Sequence, residues 1–148
     1  MYHLAQINVG TLLAPIDDPM IKDFRDNLGR INALAESTPG FVWRLVDESS
    51  DVTYAALSDP NFIINLSVWT DKKSLYAFTY ETAHTEILIR RKEWFKRPSK
   101  AHMALWWIRA GHRPDFAEAQ HKLTLIDTQG PTSEAFGFKD DFGPPNDD

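Results

Sequence analysis

The chain contains no cysteine among its 148 residues. This excludes disulfides, thiolate metal sites and a cysteine nucleophile, and it is compatible with the reducing cytosol. No apolar run approaches the roughly 18 residues that a membrane-spanning helix needs. The first ten residues lack the basic start and apolar core of a secretory signal. We therefore expect a cytoplasmic protein with no membrane partner.

Basic residues are also scarce, since 16 Lys and Arg face 21 Asp and Glu and give a formal net charge of −5. Phosphate binding needs clustered basic side chains, so no nucleic-acid partner is expected. The sequence has no G-x-S-x-G, P-loop, dinucleotide or H-E-x-x-H motif. None of the five His has the partner spacing of a zinc or non-haem iron site. No resident metal is predicted from these spacings.

Aromatic residues, by contrast, are abundant, with five Trp and nine Phe. They could fill a core, an oligomer interface or a ligand pocket, and composition alone leaves these alternatives open. The length is that of one domain. We predict a single domain over residues 1–138. The acidic, Pro-rich segment "KDDFGPPNDD" predicts a flexible tail over residues 139–148.

Hydrophobic periodicity predicts four strands and three helices. The strands are predicted at Tyr2–Val9, Phe41–Val46, Phe62–Trp69 and His102–Arg109. The helices are predicted from Pro19, over about Thr70–Lys96, and from Asp115. Residues 47–61 are predicted to form a loop, and "SEAFGF" a short strand or extended arm. The order β, α, β, β, α, β with an extra C-terminal helix is ferredoxin-like, which makes this an α+β fold. Its sheet is antiparallel, with the first two helices on one face.

The clearest strand predicts two different sheet faces. Phe62, Ile64, Leu66 and Val68 alternate on an apolar face. The opposite face is polar and aromatic, with Asn65, Ser67 and Trp69, and with Gln6 and Asn8 from the first strand. We expect this polar face to lie away from the two helices. Two such faces packed together in a homodimer would enclose a partly polar cavity, whereas in a monomer the extra helix and tail would cover the face.

Four fragments carry a resemblance to a known family: "INLSVW", "AFTYETAHTEILIRRKEWF", "LWWIRAGHRPDFAEAQHKL" and "GPTSEAFGF". In this order they resemble the domain-of-unknown-function 3291 family over nearly the whole chain. That family is similar to the dimeric α+β barrel superfamily. The superfamily includes antibiotic-biosynthesis-type monooxygenases, haem-degrading enzymes, chlorite-dismutase-like proteins and aldoxime dehydratases. The resemblance implies a homodimer with a pocket between sheet and helices, but no single chemistry.

The second predicted helix carries the candidate catalytic residues Tyr80, His84 and Arg91. With Leu88 they share one helical stripe, which Tyr76 extends backwards. An imidazole can act as general acid or base near neutral pH or ligate haem iron, and a guanidinium can hold a carboxylate. Alternatively, His84 is structural and hydrogen-bonds a neighbouring carbonyl. The resemblance adds that a helical His ligates iron in haem-degrading members, which makes His84 the candidate ligand if haem binds.

Tryptophan and amide side chains are the candidate substrate-binding groups. Trp106 and Trp107 are adjacent on a strand and therefore point to opposite faces. One is expected to pack under the helices, while the other lines the cavity with Trp43 and Trp69 and clamps a flat apolar ligand. Core or dimer packing is the alternative. The polar groups expected to contact the ligand are those of Asn8, Asn65 and Ser67.

Three hypotheses follow for the function. In the first, the protein is a cofactor-independent, monooxygenase-like or related tailoring enzyme acting on a hydrophobic or aromatic substrate. His84 is then the acid/base, and Asn65 and Arg91 orient the substrate. In the second, it is a haem protein with His84 as axial ligand and Arg91 on a propionate. In the third, it is a non-catalytic binding dimer whose interior is filled by side chains.

Overall fold

The computed structural model describes residues 1–46, 53–54, 61–82 and 84–146. The strands are β1 (Tyr2–Thr11), β2 (Phe41–Arg44), β3 (Thr53–Tyr54), β4 (Phe62–Trp69) and β5 (Met103–Arg109). The helices are α1 (Lys22–Ser37), α2 (Lys72–Glu81), α3 (His84–Ile89) and α4 (Phe116–Gln129), with 3-10 turns at Pro19–Ile21 and Arg91–Glu93. No helix in these ranges is both long and apolar enough to cross a membrane.

The strands form one antiparallel sheet in the order β2–β4–β1–β5, and β3 pairs with β4 as well. β1 is central, so that Gln6 lies opposite Ser67 of β4 and Leu105 of β5. Apart from β3, this is the strand order of the ferredoxin-like fold. The predicted fold class is therefore confirmed. β3 falls within the predicted loop, most of which lies outside the described residues.

Aspartate side chains begin the helices where the sequence predicted it. The carboxylates of Asp18, Asp71 and Asp115 each accept a hydrogen bond, 2.7–2.9 Å long, from a backbone N–H two or three residues further on. Each bond satisfies a donor that the first helical turn leaves unpaired and is worth about 0.5–2 kcal/mol. Asp18 begins the 3-10 turn that leads into α1, and Asp71 fixes the start of α2 beside the sheet.

The extra helix α4 covers the apolar sheet face. Ile7 of β1, Leu66 of β4 and Trp106 of β5 are at most 1% exposed and pack with Ala119 and Leu123 of α4. Every second residue of a strand lies on the same face, and on this face the residues that α4 buries are apolar. The apolar face is thus the one that α4 requires.

The helices α1 and α2 share the opposite, polar face, where Leu4, Trp69 and Leu105 pack with Ala35 of α1 and Leu75 of α2. Their placement on one common face is confirmed. The prediction that the polar face lies away from these helices is wrong. Polar side chains are retained beneath the helices because the packing there leaves a cavity. The polar face therefore gives no support to a sheet-against-sheet dimer.

The prediction of a single helix over Thr70–Lys96 is also wrong, because the helix is interrupted between α2 and α3. The hydroxyl of Thr82 donates to the carbonyl of Phe78 at 2.5 Å and accepts from the N–H of His84 at 3.2 Å. Thr82 therefore ends α2 and caps α3, as threonines do when they compete with helical bonds. His84 begins a helix rather than lying in the middle of one.

The segment after α4 runs along the free edge of β5. Leu105 and Phe136 exchange two backbone hydrogen bonds, of 2.7 and 2.9 Å, so the predicted terminal strand or arm is an extended arm that forms a single bridge with β5. The indole N–H of Trp107 donates to the carbonyl of Phe142 at 2.9 Å. Lys72 donates to the carbonyl of Asp140 at 2.5 Å. Specific contacts thus extend into the segment that the sequence predicted to be flexible.

Candidate active site

A cavity of about 260 Å³ lies between the polar sheet face and the helices α1, α2 and α3. Its walls are largely apolar and include Phe24, Leu28, Ile31, Leu75, Phe78 and Phe95. The volume is just below the range of about 300–1,000 Å³ that is typical of ligand pockets. The space suits a small ligand. The non-catalytic hypothesis predicted an interior filled by side chains, and the cavity shows that the interior is not filled.

The sheet floor of the cavity is a hydrogen-bonded network centred on Gln6, which is only 5% exposed. The Gln6 amide nitrogen donates to Asn65 Oδ1 at 2.6 Å and to Ser67 Oγ at 2.8 Å. Gln6 Oε1 accepts from Asn8 Nδ2 at 3.1 Å. The indole N–H of Trp69 also donates to Ser67 Oγ, at 2.9 Å. Buried polar groups that are mutually satisfied in this way hold one another in fixed orientations.

The network leaves specific polar groups for a ligand. Ser67 Oγ accepts from two donors, so its own hydroxyl proton is what it can still offer. The side-chain atoms Asn8 Oδ1 and Asn65 Nδ2 take no part in the network. The floor can therefore present two donors and one acceptor to a bound molecule.

His84 lies in the helical wall of the cavity, and one contact determines which of its ring nitrogens carries the hydrogen. Its Nδ1 atom lies 3.1 Å from the carbonyl oxygen of Thr79, and its ring packs on Phe78 with centroids 4.8 Å apart. A carbonyl can only accept, so Nδ1 carries the hydrogen and Nε2 is the basic nitrogen of the neutral ring. Burial lowers the pKa of His84, although the bond to Thr79 opposes this. At neutral pH the ring is therefore a base.

Arg91 lines the cavity beyond the end of α3. Its Nη2 atom donates to the carbonyl of Val9 at 3.0 Å, and its guanidinium lies over the Phe95 ring, 4.7 Å from the centroid. Burial lowers the pKa of Arg91, but a guanidinium remains charged in proteins. A Cβ atom at Gly10 would lie 2.5 Å from the Phe95 ring and 3.1 Å from Arg91 Nη2. Glycine is therefore required where these two side chains cross β1.

Tyr80 and Phe138 complete the cavity wall at the side of the extended arm, with ring centroids 5.4 Å apart. Tyr80 is 43% exposed, so its ring separates the cavity from solvent. Tyr76 packs on both rings from outside, with centroid distances of 4.8 and 6.0 Å. Only part of the predicted Tyr76-to-Arg91 stripe thus belongs to the cavity.

Most predicted site residues meet at this cavity: Tyr80, His84, Arg91, Asn8, Asn65, Ser67 and Trp69 all line it. Trp43, Trp106 and Trp107 do not. Trp106 lies under α4 and donates to Glu118 Oε2 at 2.8 Å. Trp107 lies on the opposite face and holds the arm, so the prediction of opposite faces is confirmed. Trp43 packs at the α4 face. The predicted aromatic clamp is therefore wrong except for Trp69.

Sequence reasoning placed Gln6 on the polar face but did not name it as a ligand-binding residue, and it missed His102. The signal for Gln6 was present, because the pattern Gln-x-Asn in β1 pairs with Asn-x-Ser in β4. The register then places Gln6 opposite Ser67, and Asn8 opposite Asn65. His102 had no such signal, because it precedes β5 and reaches the cavity only through tertiary packing. Partial loss of water around the ring, together with the charge of Arg91, lowers the pKa of His102.

Haem does not fit this site. The neutral Nε2 of His84 is the right kind of ligand atom. However, the cavity is smaller than pockets that hold drug-sized ligands, and a haem is larger than most of those ligands.

The sheet order and the cavity above the polar sheet face define an α+β protein of ferredoxin-like fold with a pocket between its sheet and helices. The sequence matches the family model described as "Domain of unknown function (DUF3291)" over residues 3–148, so the chain belongs to that family. The comparison with curated proteins found no match.

Solved structures of low sequence identity are similar to this chain. PA3566 from Pseudomonas aeruginosa is 13% identical, with a TM-score of 0.52 over 76% of this chain and 97% of that one. A putative antibiotic biosynthesis monooxygenase from Nitrosomonas europaea is 14% identical, with a TM-score of 0.47 over 77% and 94%. SnoaB, a cofactor-independent oxygenase from Streptomyces nogalater, is 16% identical, with a TM-score of 0.46 over 78% and 100%. At 13% identity the likeness to PA3566 concerns the fold.

Proposed function

We propose that the protein is a cofactor-independent oxygenase that acts on a small hydrophobic or aromatic molecule, with His84 as the general base. The observation that carries this proposal is the site of His84. A neutral imidazole of defined tautomer lines an apolar cavity whose floor presents amide and hydroxyl groups. Proton abstraction from carbon requires at least a base whose pKa lies near the working pH and which is enclosed with the substrate.

The substrate's apolar body packs against the phenyl and aliphatic walls, and its carbonyl or hydroxyl meets the floor. The Ser67 hydroxyl and the Asn65 amide are the donors that the network leaves available. Because Gln6 fixes both residues, these donors are oriented before the substrate binds. Preoriented donors stabilise a developing oxyanion more than mobile water does.

The chemical step begins when His84 Nε2 removes a proton from an activated methylene carbon. The resulting enolate gives its electrons to dioxygen and forms a carbon–oxygen bond. The peroxide takes the proton back, and loss of water from the hydroperoxide leaves a ketone. In sum, a methylene group and O₂ give a carbonyl group and H₂O, so dioxygen is the oxidant and no reductant is consumed. Seclusion from water favours the early steps because it strengthens the donors around the oxyanion.

The test uses anthrone, whose methylene group lies between two aromatic rings. We expect the wild-type protein to accelerate oxygen uptake above the spontaneous rate, with one O₂ consumed per anthraquinone formed. His84→Gln keeps a polar side chain but not the base, and it is expected to lower the rate by about 100-fold or more. His121→Gln alters an exposed residue of α4 and should leave the rate unchanged. A rate equal to the spontaneous one in wild type would contradict the proposal.

We further propose that the working form is a homodimer, as the resemblance to the dimeric barrel superfamily implies. One chain has a mass of 16.9 kDa. Light scattering on the eluting protein is expected to give twice that mass at micromolar concentration. A mass of one chain across the concentration range would overturn the dimer while leaving the pocket proposal intact.

A further inference from the structure

Two consecutive arginines have opposite surroundings. Arg90 donates to Asp23 and to Glu93, at 2.9 Å in both cases, and stacks on Trp94. Its neighbour Arg91 contacts the Val9 carbonyl and the Phe95 ring. Arg91 forms no salt bridge with any residue that the structure describes. One guanidinium is therefore neutralised at the surface, whereas the other enters the cavity with no counterion among the described residues.

No acidic side chain is among the described residues that line the cavity. Arg44, the other lining arginine, donates to Glu36 at 2.7 Å and is thereby paired. A charge removed from water without a partner is costly, and a bound anion offsets that cost. Among the described residues, the N–H donors of Arg91 make one hydrogen bond, to the carbonyl of Val9. Its planar fork therefore has donors left that match the two oxygens of a carboxylate.

His102 and Asn8 lie at the same end of the cavity as Arg91. The backbone of Val9 ties the three together, because its carbonyl accepts from Arg91 and its N–H donates to the carbonyl of His102 at 2.9 Å. Asn8 precedes Val9, and the side chains of Arg91, His102 and Asn8 all line the cavity. This end, which we call the Arg91 end, combines a guanidinium, an imidazole and an amide.

We infer that the Arg91 end binds a carboxylate of the substrate, so that the substrates are small aromatic or hydrophobic carboxylic acids. The inference deepens the proposed oxygenase function, on which it rests for turnover but not for binding. Arg91 binds the two carboxylate oxygens, and the His102 side chain lies beside it at the same end of the cavity. The apolar body then extends along α3 towards His84. The six residues of α3 rise about 9 Å, a span that two fused rings approach.

Calorimetric titration with 2-naphthoate and with its neutral counterpart 2-naphthamide tests this inference. Both probes have the same ring system, so their difference isolates the anionic group. We expect the wild-type protein to bind the naphthoate about tenfold or more tightly than the amide, because a hydrogen-bonded charge pair contributes on this scale. Arg91→Gln should abolish the preference while keeping affinity for the amide. Arg90→Gln is the matched control and should retain the preference.

Other outcomes separate this inference from the proposed function. Equal affinities of wild type for the two probes would overturn the carboxylate site and leave the oxygenase proposal standing. Binding of neither probe would overturn both. An equal loss of preference in the Arg90→Gln variant would also overturn the assignment, because a general surface charge would then explain it. If Arg91→Gln does not fold, Arg91→Lys keeps the charge but loses the fork. That variant is expected to prefer the naphthoate over the amide, but less strongly than the wild type does. A preference as strong as that of the wild type would contradict bidentate binding.

Discussion

The Nδ1 atom of His84 lies 3.1 Å from the carbonyl oxygen of Thr79, across the break between α2 and α3. The last turn of one helix therefore fixes the ring that begins the next. Because the carbonyl can only accept, the contact selects one tautomer and leaves Nε2 unprotonated. A helix break that looks like a defect of the fold thus supplies the base of the proposed reaction.

The pH dependence of turnover follows from the state of this ring. The active form is the neutral one, so kcat/KM should rise with pH through the His84 pKa and then level off. Burial lowers the pKa of His84 from its ordinary value of 6.5, which places the midpoint of the rise below pH 6.5. Initial rates of anthrone oxidation, measured from pH 4.5 to 8 and corrected for the spontaneous reaction, check this. A midpoint above pH 7 would contradict a buried His84 as the base.

Thr82→Val should weaken both the fold and the site. The substitution keeps the shape but removes the hydroxyl that bonds the carbonyl of Phe78 and the N–H of His84. We expect a loss of about 1 kcal/mol in the free energy of unfolding, together with slower turnover because His84 loses its position. Chemical denaturation and oxygen uptake measure the two effects. Thr124→Val, on the exposed face of α4, is the control for loss of a threonine hydroxyl within a helix.

Gly10→Ala tests how closely Phe95 and Arg91 approach β1. The added methyl group would lie 2.5 Å from the Phe95 ring, a distance that forces the ring to move. Overpacking of this kind costs about 1–3 kcal/mol, and displacement of Arg91 should also weaken naphthoate binding. Gly143→Ala is the control, because a Cβ atom there meets nothing within 4 Å. Equal stability of the two variants would show that the crossing is looser than described.

Gln6→Leu tests the polar floor. Leucine approximates the size of glutamine but makes none of its bonds to Asn8, Asn65 and Ser67. Since those groups then lose partners beneath the helices, we expect a loss of about 1–3 kcal/mol in stability and weaker binding of 2-naphthamide. Gln120→Leu, at an exposed position of α4, should change neither quantity. A more stable Gln6→Leu protein with unchanged binding would mean that the floor has no part in recognition.

Local sequence signals were sufficient for the fold. The alternation in Phe62–Trp69 is a local feature that predicted β4 correctly, and the predicted starts of the second and third helices lie within two residues of those of α2 and α4. The helix break was missed because periodicity continues through "ETAHTE", and only the competition of Thr82 for helical partners interrupts it. Local propensity thus predicts elements more reliably than it predicts where a helix divides.

The site was predicted only in part, because its geometry depends on which helices cover which sheet face. His84, Arg91, Asn65 and Ser67 were named from residue type and spacing, and they line one cavity. Their meeting beneath α1 and α2 was not predicted, because alternation distinguishes two faces without saying which helix covers each. For the same reason the sequence did not indicate which of Trp106 and Trp107 packs under a helix, and the structure places Trp106 under α4. The position of Arg91 in the cavity, away from every acidic side chain that the structure describes there, is a tertiary property with no signal in the sequence.

Oxygen uptake with anthrone, compared between wild type and His84→Gln, tests the central claim most directly. The account predicts protein-dependent uptake in metal-free buffer, one O₂ per anthraquinone, and a loss of about 100-fold or more in the variant with its thermal stability retained. Uptake that is the same in both proteins would contradict the claim that His84 is the base of an oxygenase.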